Sequence, residues 1–150
     1  MSRRVRDPRA HVPAAGREVP AAWGAFLAAH EWSHYVTLTF RTPRPAEGAA
    51  RAFVHQFVRR LTRWAQGPVP WFCAAECGPG AQTWHVHALV YGTGALTGAE
   101  VARAWTQGQT RVLCYDALRG AAHYVTKAVL EEATWYDVSR RLPPRRARAA

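Results

Sequence analysis

The sequence predicts an α+β fold, an antiparallel sheet with helices packed on one face. The expected core is a ferredoxin-like or RRM-like βαββαβ unit, followed by a C-terminal helix that carries a tyrosine. Three observations predict this class. Residues 35–40 alternate in strand fashion, residues 49–64 repeat apolar side chains every three or four positions, and Gly78-Pro79-Gly80 separates two further apolar strands.

The remaining elements follow the same logic along the chain. Thr97 and Glu100 have the spacing of a capping box at the start of a helix, and Asp116 is placed to cap the last helix. The predicted elements are a helix at 20–31, a strand at 35–40, a helix at 49–64, strands at 71–77 and 84–91, a helix at 98–105, a strand at 109–115 and a helix ending near residue 130.

The chain has 150 residues, a length that predicts one domain with its own hydrophobic core. Residues 1–19 are rich in arginine, proline and alanine and are expected to form a flexible basic arm. Residues 141–150 are expected to form a second flexible basic tail. The folded domain is therefore expected at residues 20–140.

The formal net charge of +10 favours a polyanionic partner such as nucleic acid. No apolar run approaches the roughly 20 residues that span a bilayer, and the N-terminus lacks a secretory pattern. A cytoplasmic protein without a membrane partner is expected. Cys73, Cys77 and Cys114 are then reduced thiols, and the spacing of the first two favours buried apolar residues over a zinc site.

Two histidines occupy alternate positions of the strand at 84–91. His85 and His87 therefore project from one face of the sheet, where two imidazoles can bind one ion. If this strand pairs with the strand at 71–77, a natural register places Glu76 opposite His85 and Ala74 opposite His87. Two imidazoles and one carboxylate leave coordination positions open for a substrate oxygen, as in catalytic rather than structural sites.

Tyr124 and Lys127 are three residues apart on the last predicted helix and share one of its faces. Lys127 is the only lysine of a chain otherwise basic through arginine, which indicates a position where a compact ammonium is required. A tyrosine can attack a phosphodiester if a metal ion neutralises the developing charge. The two residues are candidates for nucleophile and phosphate-binding cation.

These residues give the chain a resemblance to the HUH endonucleases, and within them to the single-tyrosine rolling-circle replication initiators, the Rep proteins. Three segments carry the resemblance, in the order found in that family. They are Tyr35-Val36-Thr37-Leu38-Thr39-Phe40, Trp84-His85-Val86-His87-Ala88-Leu89-Val90 and Ala122-His123-Tyr124-Val125-Thr126-Lys127-Ala128.

The resemblance implies that His85 and His87 hold Mn²⁺ or Mg²⁺, with Glu76 as the third ligand. It implies that Tyr124 nicks single-stranded DNA, or an origin hairpin, through a 5′-phosphotyrosine that can later be rejoined. Lys127 would approach the phosphate or an active-site water. A separate helicase is expected as partner, since the chain ends soon after the tyrosine motif, in a bacterial or phage-infected cell.

Two other functions fit the same sequence. A single-tyrosine insertion-sequence transposase is similar in these motifs, but a glutamine is usual there where this chain has Lys127. A non-catalytic RRM-like module would instead stack bases on sheet aromatics, for which Trp71, Phe72, Trp84 and Tyr91 are available. For either function, arginines would supply phosphate contacts, with Arg41 and Arg119 as candidates.

Overall fold

The computed structural model describes residues 18–41, 44–77, 83–119 and 133–148. Three helices and five strands occur in these ranges. They are α1 (Glu18–Ala28), β1 (His34–Phe40), α2 (Glu47–Ala65), β2 (Trp71–Glu76), β3 (His85–Val90), α3 (Gly98–Arg103), β4 (Gly108–Cys114) and β5 (Trp135–Val138). Residues 1–17 of the predicted arm and the predicted C-terminal helix with Tyr124 and Lys127 lie outside the described residues, while residues 18 and 19, predicted to belong to the arm, are the start of α1.

The strands form one antiparallel sheet in the order β4-β1-β3-β2-β5. The first four strands have the order of a split βαβ unit, with β1 and β3 in the centre. The predicted α+β class with an antiparallel sheet is confirmed. The fifth strand was not predicted; it adds Trp135–Val138 to the edge of β2.

Helix α2 packs on one face of the sheet through a stripe of side chains at helical spacing. Its buried residues are Ala50, Val54, Phe57, Val58 and Leu61. They meet alternate strand residues such as Val36, Leu38 and Val86, all of them fully buried. Each large side chain buried in this way contributes roughly 1.5–3 kcal/mol of transfer free energy. Trp64, the last residue of the apolar repeat predicted for residues 49–64, is instead 39% exposed.

Helix α3 begins at the predicted capping box. The hydroxyl of Thr97 accepts from the amide of Glu100, and the carboxylate of Glu100 accepts from the amide of Thr97. Val101 is the buried residue of this short helix and joins the same core as α2. The cap fixes where α3 begins, and the burial of Val101 places the helix on the α2 side of the sheet.

Helix α1 packs on the opposite face. Leu27 is fully buried there against Tyr35, Phe72 and Leu89, with Trp23 at the margin. The expectation that helices lie on one face thus holds for α2 and α3 but is wrong for α1. The reason is that both faces of the sheet carry apolar side chains, so α1 can bury its own apolar side chains on the second face.

The last described segment returns to the end of α1. The amide of Glu31 donates to the carbonyl of Pro144, and the amide of Arg146 donates to the carbonyl of Ala29, both at 2.9 Å. Pro143 is buried. Residues 143–146 are therefore packed against the domain, whereas the sequence predicts a flexible tail from residue 141.

Among the described helices, none combines the length and the hydropathy of a membrane-spanning segment.

Candidate active site

The sheet face that carries α1 consists of three rows of side chains, defined by the strand register. Directly paired residues share a face, so each row can be followed across the sheet. The rows are Leu113, Tyr35, Leu89, Phe72 and Val138; then Arg111, Thr37, His87, Ala74 and Tyr136; then Gln109, Thr39, His85 and Glu76. We call this surface the site face.

Helix α1 covers the first of these rows and leaves polar side chains on the other two. Tyr35, Phe72 and Leu89 are buried in the α1 cluster. His85 and His87 are partly exposed, and Glu76 and Thr37 are as well. The helix thus provides an apolar border at which Tyr35 reaches into the polar rows.

His87 has hydrogen-bond partners at both ring nitrogens. Its Nδ1 lies 2.7 Å from the hydroxyl of Tyr35 and 3.5 Å from the hydroxyl of Thr37, and its Nε2 lies 3.3 Å from Oε1 of Glu76. The rings of Tyr35 and His87 are nearly parallel, with an interplanar angle of 14°. Contacts at both nitrogens fix the plane and the orientation of the imidazole.

Burial lowers the pKa of His87 below its ordinary value of 6.5. Glu76 opposes this shift through its hydrogen bond and charge, and His85 adds to the lowering. A lowered pKa keeps the imidazole neutral at neutral pH, which is the state that binds a metal ion.

His85 shares the site face, and the register predicted for it is confirmed. Glu76 pairs with His85 and Ala74 pairs with His87. Even so, among the described residues no three histidine, cysteine, aspartate or glutamate side chains lie close enough to hold one ion. The structure brings His87 and Glu76 together and leaves the imidazole of His85 outside that pair.

The donor set nevertheless fits a divalent ion in its chemistry and in one interatomic distance. Adjacent ligands at 2.0–2.1 Å from an octahedral ion are about 3 Å apart. The 3.3 Å between Nε2 of His87 and Oε1 of Glu76 is close to that value. His85 has the position of a third donor, on the same face and directly opposite Glu76.

The other predicted site residues do not lie together in the structure or are outside the part of it that is described. Tyr124 and Lys127 lie outside the described residues. Arg41 is exposed and follows β1 at the end of the sheet where Thr39 pairs with His85. Arg119 follows β4 beyond the opposite end, where its Nε lies 3.8 Å from Oδ2 of Asp116. The two arginines are therefore not brought together.

The aromatics available to an RRM-like module do not form a stacking surface. Trp71 and Trp84 are buried in the α2 core, and Phe72 is fully buried beneath α1. Tyr91 is half-buried against the α1 cluster. The side chains on which that alternative depends are thus used for packing.

The cysteines do not support a zinc site. Cys73 is fully buried in the α2 core, on the face opposite His85 and His87, and burial strongly raises the pKa of its thiol. Cys77 is partly buried and Cys114 is exposed. The prediction of buried apolar cysteines holds for Cys73, and all three are free thiols.

Three residues of the site face were missed by the sequence analysis. Tyr35 was recognised as a strand residue but not as a partner of His87. Arg111 and Tyr136 were not singled out at all, although both lie in the row of His87. The signal that could identify Tyr35 and Arg111 is the alternation of side chains along a strand. Tyr35 lies two positions before Thr37, and Arg111 pairs with Thr37, so both lie on the face that carries His87.

Comparison with known proteins gives one family. A family model for the replication-associated protein ORF2 matches residues 33–133, which is two thirds of the chain. The match includes the site face from β1 to β4. No curated protein and no solved structure matches the chain.

Proposed function

The chain belongs to the family of the replication-associated protein ORF2, and from this premise we propose that it is a metal-dependent nickase of single-stranded DNA. In this proposal the nick starts rolling-circle replication of a plasmid or phage. The observation that carries it is the site face itself, where His87, Glu76 and His85 lie on neighbouring strands beside an apolar border.

His87, Glu76 and His85 would hold Mn²⁺ or Mg²⁺. When bound, the ion would polarise the scissile phosphate and neutralise developing negative charge. His87 and Glu76 already face each other, and His85, paired directly with Glu76, would supply the third donor. The lowered pKa of His87 keeps a lone pair available at neutral pH, and Tyr35 holds the ring in place.

Tyr124 would be the nucleophile. Its phenol loses a proton to solvent, its oxygen forms a bond to phosphorus, and the bond from phosphorus to the 3′ oxygen breaks. The 3′ oxygen takes a proton from water and leaves as a hydroxyl, while the 5′ phosphate stays on the tyrosine. Since one phosphoester replaces another, the reverse attack by a 3′-hydroxyl rejoins the strand without ATP.

Lys127 would stand beside the phosphate, three residues after Tyr124 on the helix that the sequence predicts. An ammonium is a compact charge with three rotatable donors, so it can follow the phosphate as the geometry of phosphorus changes. Its charge would also favour the phenolate over the phenol, because an opposite charge nearby stabilises the ionised form. Arg41 and Arg119 would contribute phosphate contacts away from the reacting bond.

The family match favours replication over transposition as the role of this nick. The burial of Trp71, Phe72 and Trp84 disfavours the RRM-like module, because these rings are not available to bases. A transposase would transfer strands between two hairpin ends, whereas an initiator would nick one origin. That difference in products separates the two enzymatic roles.

The proposal is tested by incubating the protein with random-sequence single-stranded oligonucleotides and Mn²⁺ and separating the products on a denaturing gel. A shortened strand and a protein–DNA adduct are expected with Mn²⁺ and not with EDTA. His87→Ala should abolish both products. His55→Ala, which removes an exposed histidine of α2 on the opposite side of the sheet, should retain them. Cleavage that continues in EDTA would overturn the proposal.

A further inference from the structure

An exposed tyrosine and an exposed arginine flank His87 on the site face. Tyr136 of β5 pairs with Ala74, which pairs with His87; on the other side, Arg111 of β4 pairs with Thr37, which also pairs with His87. We propose that this row is a binding track for single-stranded DNA. Tyr136 stacks on one base, and Arg111 binds a backbone phosphate on the other side of His87.

Tyr136 has the geometry of a stacking platform. Its side chain is 51% exposed, yet its ring packs edge to face on Trp23 of α1, with centroids 5.3 Å apart. Trp23 in turn packs on the buried ring of Phe72 at 5.3 Å. The ring is thus supported on one side and accessible on the other, so a base can cover it without ordering a mobile side chain.

The placement of Tyr136 is unusual among the exposed apolar residues. The other large apolar side chains that the described residues expose belong to no strand of the sheet; they are Trp64, Leu118 and Leu142. Tyr136 therefore offers a ring in line with His87. Neighbouring strands are about 4.8 Å apart, which places Tyr136 and Arg111 each about 10 Å from His87 along the row.

Arg111 provides the charge that a phosphate needs. It is exposed, and within the described ranges no carboxylate lies within ion-pair distance of it. By contrast, the guanidinium of Arg51 is bound to Glu47 at 2.9 Å. Among the described residues, therefore, no carboxylate neutralises the charge of Arg111, which lies on the same face as the ligand candidates.

This inference rests on the proposed partner, single-stranded DNA, and goes further by assigning a base site and a phosphate site to particular residues. A strand bound across the row would present the phosphate between these two sites to His87. Tyr136 would then affect which base is preferred at one flanking position, because the stacking energy depends on the base.

The test is the binding of a fluorescein-labelled 12-nucleotide single strand to the full chain in EDTA, measured by anisotropy over a series of salt concentrations. Tyr136→Leu keeps an apolar contact with Trp23 but removes the flat ring. It should weaken binding by roughly 5- to 150-fold without changing the slope of log K against log salt, while Tyr136→Phe should bind normally. Arg111→Gln should weaken binding and reduce that slope by about 0.7.

Two matched controls lie on α2, on the opposite side of the sheet. Trp64→Leu removes another exposed aromatic ring, and Arg59→Gln removes another exposed arginine. Both should bind the single strand as the unchanged chain does. A blunt 12-base-pair duplex, whose bases are already stacked, should bind the Tyr136→Leu variant as well as it binds the unchanged chain.

Normal single-strand binding by Tyr136→Leu would overturn the base site. So would a parallel loss of duplex binding, because the substitution would then act through the fold rather than through stacking. An unchanged salt slope in Arg111→Gln would overturn the phosphate site. Since no metal is present and no bond is cleaved, these outcomes are independent of whether the chain nicks DNA.

Discussion

The hydroxyl of Tyr35 lies 2.7 Å from Nδ1 of His87, while Nε2 of the same ring faces Glu76 at 3.3 Å. A tyrosine hydroxyl can both donate and accept. It can therefore donate to Nδ1 while Nε2–H binds Glu76, and it can accept from Nδ1–H when Nε2 binds a metal ion. Tyr35 is thus suited to hold His87 in both tautomers.

Tyr35→Phe tests this relationship. Partners at the non-ligating nitrogen orient a histidine ligand and raise its basicity, and their loss typically weakens metal binding 10- to 100-fold. We expect a loss of roughly this size in Mn²⁺ affinity, measured by isothermal titration calorimetry. Tyr91→Phe removes a hydroxyl from a half-buried tyrosine of the same cluster and should leave the affinity unchanged. Equal affinity of both variants would show that Tyr35 does not position His87.

Glu76→Gln tests the carboxylate as a ligand. The amide keeps the size and an acceptor oxygen but loses the charge that attracts a divalent ion. The Mn²⁺ concentration for half-maximal nicking should rise about tenfold or more, because a ligand contributes at least as much as its supporting residues. Single-strand binding in EDTA should not weaken. Glu31→Gln, at an exposed glutamate, is the control. An unchanged metal requirement in Glu76→Gln would remove this residue from the site.

Lys127→Arg tests the single lysine of the chain. The guanidinium keeps the charge but not the compact, rotatable donors of the ammonium. We expect the nicking rate to fall by up to about 100-fold, the order of loss when one preorganised donor is removed. Binding of the single strand should be nearly normal. If the variant nicks at the normal rate, the lysine has no special role, and the assignment of Tyr124 is not affected.

His34 links stability to pH. It is 4% exposed, its Nδ1 lies 2.6 Å from the hydroxyl of Thr93, and burial lowers its pKa below 6.5. The folded state therefore takes up a proton at lower pH than the unfolded state does. The contribution of the neutral His34 ring to the stability of the fold is complete above about pH 6.5. It is lost as the pH falls through the pKa that His34 has in the folded state.

The free energy of unfolding in urea should therefore decrease between pH 7 and pH 5, and His87 contributes in the same direction. In His34→Gln the decrease should be smaller, since one titrating group with a lowered pKa is removed. An equal decrease in both proteins would contradict this assignment.

The pairing register of β2 with β3 could be predicted from the sequence because two constraints lead to the same register. Strand alternation places His85 and His87 on one face, and the short connection between β2 and β3 limits which residue can oppose them; Glu76 was found where predicted. The capping box of α3 is equally local, involving only Thr97 and Glu100.

The features that the sequence did not predict depend on contacts between distant segments. β5 has four residues and becomes a strand by pairing with β2, sixty or more positions earlier. The side of the sheet that α1 covers depends on Phe72 and Leu89, which alternate with apolar residues of the other face. The contact of Tyr35 with His87 joins side chains 52 positions apart, and neither side chain by itself indicates which residue it will contact.

The most direct test of the proposed function is to identify the residue that carries DNA. The full chain would be incubated with a cleavable single strand and Mn²⁺, digested with nuclease and protease, and analysed by mass spectrometry. A deoxynucleotide phosphate on the peptide that contains Tyr124, and no adduct in Tyr124→Phe, is the expected result, with Tyr115→Phe as a control that still forms the adduct. An adduct that persists in Tyr124→Phe, or that maps to another residue, would contradict the proposal that Tyr124 is the nucleophile.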